Sequence, residues 1–317
     1  EKTALADAEV EYEDHTSNTI YVKFKIIKSL IDDLIDSNIV IWTTTPWTIP
    51  GNRAIAYGKD LEYILIKVES VKEDSLAKIG DQIVIAEDLK DKVLFEIGVL
   101  ESKVLNKFSG KELKGTECEH PFKRLGYNFN VRVLEGDFVN LEQGTGLVHI
   151  APGHGADDYI LGIKHQVDIV QTVEDDGKYN SHAIGFEGEH VYKVDIKIAE
   201  KLQEYNKLLH LGKLKHSYPH SWRSKAPLIF RNTPQWFISM DKRDLRQKAL
   251  NSIDDTIFYP PQGKTRLRSM IETRPDWCVS RQRVWGVPLP LFVSKKDGQP
   301  LRDIEVIQRI ADIYEKE

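Results

Sequence analysis

Alternation of apolar and polar residues over positions 18–27 constrains the fold of this chain more than any other feature of its sequence. In the segment NTIYVKFKII, one face of an extended strand would carry Ile20, Val22, Phe24 and Ile26. Similar short runs, separated by turn signals, lie at positions 63–68, 83–86, 131–134 and 146–150. The first part of the chain therefore predicts a β-rich, barrel-like domain with peripheral helices.

Helical periodicity dominates the second part of the chain. Asp195, Asp241 and Asp303 each precede apolar residues at helical spacing, and the first of these stripes extends to Leu209. We therefore expect an α+β fold. The β-rich domain would cover residues 1–215, and a mixed α/β segment would cover residues 216–317.

Composition and charge exclude several classes of protein. The longest apolar stretches of the 317 residues fall far short of the ~18 needed to cross a bilayer, so we expect no membrane segment. The net charge of -5 gives no overall attraction to nucleic acid, so any such contact must be local. Two widely separated cysteines, Cys118 and Cys278, indicate a reducing, cytoplasmic compartment. Because the chain begins at Glu1 without a secretory signal, we expect a fragment of a longer protein.

A threonine-rich turn follows the predicted second strand, in the sequence TTTPWTIPGN. Thr43, Thr44 and Thr45 enter a bend bounded by prolines, with Thr48 inside it. Such a bend leaves hydroxyls and backbone amides free to position a water molecule. An ordinary strand end is the alternative, since threonine is common in strands.

The segment GLVHIAPGHGADDY predicts a strand, a glycine-rich loop and a helix whose first turn contains Asp157 and Asp158. A helix N-terminus favours an ionised carboxylate by ~0.3–1 kcal/mol, which would suit the binding of an ammonium group. His149 alone would be a hydrogen-bonded histidine at a strand end, and His154, between two glycines, a solvated or supporting one. A divalent metal held by these four side chains is a further alternative, although their spacing matches no ligand signature.

Taken together, these motifs resemble one family. TTTPWTIPGN and the later GTGLVHIAPGHGADDY resemble the editing domain that is inserted into isoleucyl-tRNA synthetases. The segments YPHSWRSKAPLIFRNTPQWFISMD and RPDWCVSRQRVWGVPLP resemble the return of those enzymes to their class I catalytic core. The related valyl and leucyl enzymes carry an arginine before the proline of the first motif and an acidic residue after it.

The resemblance implies hydrolytic proofreading of valine attached to isoleucine tRNA, and of valyl adenylate. A hydrophobic pocket discriminates one methylene by only ~1–3 kcal/mol, a value known from this same family, so a second sieve for the smaller amino acid is needed. The implied partners are the acceptor end of isoleucine tRNA and valine as an ester or adenylate. We expect a monomer that needs no cofactor for editing.

The resemblance also implies roles for individual residues. Asp158 would pair with the α-ammonium group of the substrate, and His149 would limit the size of its side chain. The residues implied for catalysis are Thr44, Thr45, Thr48, His149 and Asp158. Those implied for substrate binding are Thr43, Trp47, Asn52, Gly146, His149 and Asp158. We expect no strong general base, because an aminoacyl ester is already reactive toward a positioned water.

Two departures from the family pattern limit the expected chemistry. Ser221 and Ser224 stand where many relatives have cysteines suited to zinc, so we expect no metal there. The chain also contains neither a His-Ile-Gly-His-like nor a Lys-Met-Ser-Lys-Ser-like motif, so ATP would be used only by the full-length enzyme. The open alternatives are a tRNA acceptor-end binding module that is inactive when excised, a metal hydrolase, and a valyl-type editor that clears threonine, which Trp47 disfavours.

Overall fold

The computed structural model of the protein describes residues 4–5, 7–281 and 286–316. The chain forms two compact units, residues 1–232 and 233–317. The functional boundary between residues 215 and 216 stays a prediction. Residues 282–285 of the motif RPDWCVSRQRVWGVPLP lie outside the described residues.

The first unit is built on a mixed sheet. Its strands are β1 (Val10–Lys28), β2 (Asn38–Thr43), β3 (Ala54–Tyr57), β4 (Glu62–Val71), β5 (Gln82–Ala86), β6 (Val99–Ser109), β7 (Glu117–Glu119), β8 (Asn130–Glu135), β9 (Leu147–Ile150) and β10 (Leu208–Ser221). The order is β6-β4-β5-β2-β1-β7-β8-β3-β9, with β10 paired to β1. The pairs β2–β5 and β3–β8 are parallel, and the other pairs are antiparallel. The β-rich prediction is confirmed, but among the described residues the sheet stays open instead of closing into a barrel.

The predicted alternation in β1 is confirmed, since Ile20, Val22, Phe24 and Ile26 are all fully buried. The strand pairs with β2 as far as residue 25 and with β7 from Ile26. β1 therefore joins the strands on the β2 side of the sheet to those on the β7 side. Lys23 lies on the opposite face of β1 and is also buried, where it forms an ion pair of 3.0 Å with Asp81.

Three helices accompany this sheet: α1 (Lys90–Glu96), α2 (Ala156–His165) and α3 (Asp195–Glu204). The predicted helix after the glycine-rich loop is confirmed as α2. The prediction that the apolar stripe of α3 extends to Leu209 is wrong. Asn206 adopts a left-handed conformation (φ 57°) that ends the helix, and Leu209 lies in β10.

The strand pairing explains how two distant motifs meet. β2 ends at Thr43 and leads into a buried 3₁₀ turn at Pro46–Gly51, directly before β3. β9 leads in turn through residues 151–155 into α2. Because β3 and β9 are antiparallel, with Ala54 opposite Ile150, the threonine-rich turn and the start of α2 lie at the same end of the sheet.

The second unit contains the short pair β11 (Phe237–Ile238) and β12 (Trp277–Cys278), with α4 (Leu245–Asp255), α5 (Gln262–Glu272) and α6 (Ile304–Tyr314). This agrees with the predicted mixed α/β segment. Asp303 precedes α6 as predicted, and it caps this helix, because its side chain accepts from the amides of Glu305 and Val306 at 2.9 and 3.2 Å. α4 begins after Asp244 and not directly after Asp241. Nowhere in the described part of the chain does a helix combine the length and apolar character that a bilayer crossing requires.

Candidate functional site

A cavity of about 210 Å³ lies between the threonine-rich turn and the start of α2. The residues that line it are Trp42, Thr43, Thr45, Thr48, Val148, His149, His154, Gly155 and Asp158. The two motifs singled out in the sequence thus contribute to the walls of one cavity.

The turn presents its hydroxyl groups as a connected row. Thr43 Oγ1 lies 3.1 Å from Thr45 Oγ1 and also accepts from the Thr45 amide at 3.1 Å. Thr48 Oγ1 donates to the Thr45 carbonyl at 2.8 Å and lies 3.4 Å from Thr45 Oγ1. The contact between Thr43 and Thr45 uses only one of their two hydroxyl protons, so the other can be donated to a bound ester oxygen or water.

His149 is held at both ring nitrogens. Its Nδ1 lies 2.8 Å from Asn52 Nδ2, and its Nε2 lies 2.9 Å from Thr48 Oγ1. Asn52 Nδ2 also donates to the Ala54 carbonyl at 2.9 Å, which identifies it as the amide nitrogen. Nδ1 therefore accepts, and Nε2 carries the proton and donates to Thr48. Burial lowers the pKa of His149 to about 3, so the ring is neutral at physiological pH and has no free lone pair.

Asp158 is the carboxylate of the cavity. Its Oδ2 accepts from the Ala151 amide at 2.7 Å. Burial raises the pKa of Asp158 to about 6, despite the opposing effect of the Ala151 hydrogen bond. Desolvation thus outweighs the effects that favour the ionised form, but a carboxylate with this pKa is still mostly ionised at pH 7. No Lys or Arg accompanies Asp158 among the described lining residues, so a cationic ligand would be its natural partner.

His154 is buried, which agrees with the supporting role and not with the solvated one among the two alternatives predicted for it. Its Nδ1 donates to the Phe230 carbonyl at 3.0 Å, and its Nε2 accepts from Thr172 Oγ1 at 2.7 Å. Burial lowers its pKa to about 4, which leaves the ring neutral. One residue away, the Asn232 amide donates to the Gly153 carbonyl at 2.9 Å. Residues 230–232 thus hold the loop that forms this wall.

The remaining sequence-predicted residues do not line the cavity. Thr44 is half-buried beside it, and Asn52 is fully buried behind His149. Trp47 is buried, and its ring packs edge-on against His154 at 5.0 Å between centroids. Gly146 has φ 76°, and a Cβ there would lie 2.4 Å from the Cβ of Ala86, so its role in the structure is a close backbone approach.

Sequence reasoning missed three lining residues, Trp42, Val148 and Gly155, and considered His154 only as a solvated, supporting or metal-binding side chain. Trp42 and Val148 directly precede predicted site residues, and adjacency was the only signal for them. For the metal alternative, the described residues contain no group of three His, Cys, Asp or Glu side chains placed to hold an ion. Both nitrogens of His149 and of His154 already have protein partners.

The family model described as tRNA synthetases class I (I, L, M and V) matches residues 1–317. The chain belongs to this family of class I tRNA synthetases. Within the family, it is 53% identical over 317 residues to the isoleucine–tRNA ligase of Pelagibacter ubique, an alignment that covers 100% of this chain and 35% of that protein. It is 46% identical over 328 residues to the isoleucine–tRNA ligase of Gluconobacter oxydans, covering 99% and 34%. The resemblance to isoleucyl-tRNA synthetases is thereby confirmed, and the chain spans about a third of the length of these curated relatives.

Solved structures give weaker matches. The crystal structure of GlLeuRS-CP1 has a TM-score of 0.44 and 13% identity, and the match covers 60% of this chain and 97% of that one. The editing domain of the P. falciparum cytosolic leucyl-tRNA synthetase has a TM-score of 0.35 and 15% identity, covering 45% and 64%. Scores this low carry no argument about the function of the cavity.

Proposed function

We propose that the cavity is an editing site that hydrolyses valine esterified to isoleucine tRNA, and valyl adenylate. One observation carries the proposal: the hydroxyls of Thr43, Thr45 and Thr48 line the same cavity as the carboxylate of Asp158. The hydroxyls can form hydrogen bonds with a scissile ester and its water, and the carboxylate can bind an α-ammonium group. An aminoacyl ester carries both features within a few bonds of each other.

The rigidity of the walls supports selection for a small side chain. The rings of His149 and His154 are each held at both nitrogens, and Val148 and Trp42 complete the apolar lining. Admitting one more methylene would require these groups to move, at a cost of about 1–3 kcal/mol. A valyl group would enter, and an isoleucyl group would be excluded.

The proposed reaction uses a positioned water and no strong base. The water oxygen bonds to the ester carbonyl carbon while the carbonyl oxygen accepts a hydrogen bond from the hydroxyl of Thr43 or Thr45. The bond from that carbon to the terminal ribose oxygen then breaks, and a proton lost by the attacking water passes to that oxygen, which gives free valine and the tRNA hydroxyl. His149 and His154 are neutral and have both nitrogens engaged, so they hold the site in shape and do not carry the proton.

Release of valine from valyl-tRNA for isoleucine by the whole chain tests the proposal. We expect Asp158→Asn to lower the rate by about 100-fold, because a neutral amide cannot pair with the ammonium group. Asp157→Asn is the matched control, since Asp157 is the exposed neighbour on the same helical turn and lies outside the lining. Isoleucyl-tRNA for isoleucine should remain charged.

Other outcomes would identify the alternatives. Binding of the charged tRNA without valine release would indicate an acceptor-end binding module. Faster release of threonine than of valine would indicate a valyl-type editor. Equal rates for Asp158→Asn and the unaltered chain would remove Asp158 from the site.

A further inference from the structure

The peptide carbonyl of Trp47 lacks the partner that its own turn would normally provide. In a 3₁₀ helix each carbonyl accepts from the amide three residues later. Three residues after Trp47 stands Pro50, inside the turn at Pro46–Gly51, and proline has no N–H to donate. All six residues of this turn are buried, so water cannot readily replace the missing donor.

Tyr179 supplies that donor from a distant part of the chain. Its hydroxyl donates to the Trp47 carbonyl, and its side chain is only 2% exposed. Burial keeps the pKa of this phenol well above its ordinary value, so the hydroxyl keeps its proton at physiological pH. The ring is also packed near Phe186 of the core.

The bond to Trp47 acts on the middle of the threonine-rich turn. Trp47 lies between Thr45 and Thr48, whose hydroxyls line the cavity. Its indole supports the ring of His154, another part of the cavity wall. A change in the orientation of the Trp47 peptide would therefore move groups on two sides of the cavity.

We propose that Tyr179 is a positioning residue of the editing site, which fixes the threonine-rich turn by donating to the Trp47 carbonyl, whose 3₁₀ partner position is occupied by Pro50. The effect on hydrolysis rests on the proposed function. The effect on the turn does not, because it concerns the protein alone.

The test removes one hydroxyl and keeps the ring. In Tyr179→Phe we expect the Thr48 and Asn52 amides, which close the turn by bonding to the Thr45 and Ile49 carbonyls, to exchange with solvent about tenfold faster. We expect kcat for valine release to fall about tenfold with little change in KM, because the ammonium site at Asp158 is untouched. Tyr192→Phe is the matched control, since the Tyr192 hydroxyl also donates to a backbone carbonyl, that of Pro227, outside the site.

A second variant separates positioning from general loss of structure. Pro50→Ala restores an amide three residues after Trp47. The double variant should therefore have a kcat about threefold or more above that of Tyr179→Phe, and its turn amides should exchange with solvent more slowly than in Tyr179→Phe. Unchanged exchange or unchanged kcat in folded Tyr179→Phe would overturn the proposal, as would no recovery in the double variant. If the unaltered chain releases no valine, the proposed function fails, while the exchange measurements still decide whether Tyr179 holds the turn.

Discussion

His149 Nε2 lies 2.9 Å from the hydroxyl oxygen of Thr48, which itself donates to the Thr45 carbonyl at 2.8 Å. The three groups form a chain of two hydrogen bonds, in which the imidazole N–H donates to the hydroxyl oxygen and the hydroxyl donates to the carbonyl oxygen. Because Asn52 occupies the other ring nitrogen, the histidine commits its proton to the turn and not to a substrate. On the proposed function, we therefore expect His149 to shape the cavity and orient Thr48 without acting as a base.

The structure separates two neighbouring threonines that the sequence could not distinguish. Thr45 lines the cavity and contacts the hydroxyls of Thr43 and Thr48, whereas Thr44 does not line it. We expect Thr45→Val to lower kcat for valine release by about tenfold or more, and Thr44→Val to have a clearly smaller effect. Single-turnover rates on valyl-tRNA would measure both. A larger loss in Thr44→Val would contradict this assignment.

Asp158 should make the fold less stable as pH rises. Burial raises its pKa to about 6 from 3.8, so between these values the folded chain keeps a proton that the unfolded chain releases. The carboxylate therefore costs roughly 3 kcal/mol of stability at pH 7 and only about 0.5 kcal/mol near pH 4. Asp158→Asn should raise the free energy of unfolding in urea at pH 7 but not at pH 4, whereas Asp157→Asn should do neither. Equal stabilisation at the two pH values would exclude burial of the charge as the cause.

Gly51 has no room for a side chain. A Cβ there would lie 2.8 Å from Cδ2 of His154, whose ring cannot rotate away without breaking its bonds to Phe230 and Thr172. We expect Gly51→Ala to destabilise the first unit by about 1–3 kcal/mol and to slow valine release. Gly263→Ala, where the new Cβ would meet only Phe258 Cδ1 at 3.5 Å, serves as the control and should not destabilise its own unit. Thermal unfolding of both variants would show the difference.

Chelation should leave valine release unchanged. The ring nitrogens of His149 and His154 are used in hydrogen bonds, and Asp157 is exposed and lies outside the cavity lining. Activity measured after treatment with EDTA, and again after addition of zinc or magnesium, should match that of untreated protein. Loss of activity that a particular metal restores would revive the metal-hydrolase alternative.

Local patterns were sufficient for the elements and for the two motifs of the site. The alternation at Ile20–Ile26 reflects burial on the sheet, and the glycine-rich loop before α2 marks a real change from strand to helix. The cap at Asp303 depends on neighbours two and three residues away, so the sequence could specify it. In each case the determining contacts are close in the chain or repeat with a regular period.

Contacts distant in sequence were beyond prediction from these patterns. The sequence left a solvated and a supporting His154 open, because the bonds of its ring go to Thr172 and Phe230, which are distant in the chain. The sequence placed Asp158 correctly at a helix start, yet its pKa depends on how deeply the folded chain buries the carboxylate. Tyr179 carried no local signal at all, since its significance depends on its hydrogen bond to Trp47, which lies 132 positions earlier in the chain.

The hydrogen bonds of Phe230 and Asn232 to the loop at residues 153–154 determine where this unit can be cut. A truncated protein that stops at residue 215 would divide β10 and remove the carbonyl that orients His154, whereas one that continues through residue 232 would retain both. The longer version is therefore the one to excise for an assay. A shorter version could be inactive simply because it has lost a wall of the cavity, and its inactivity would not test the proposed chemistry.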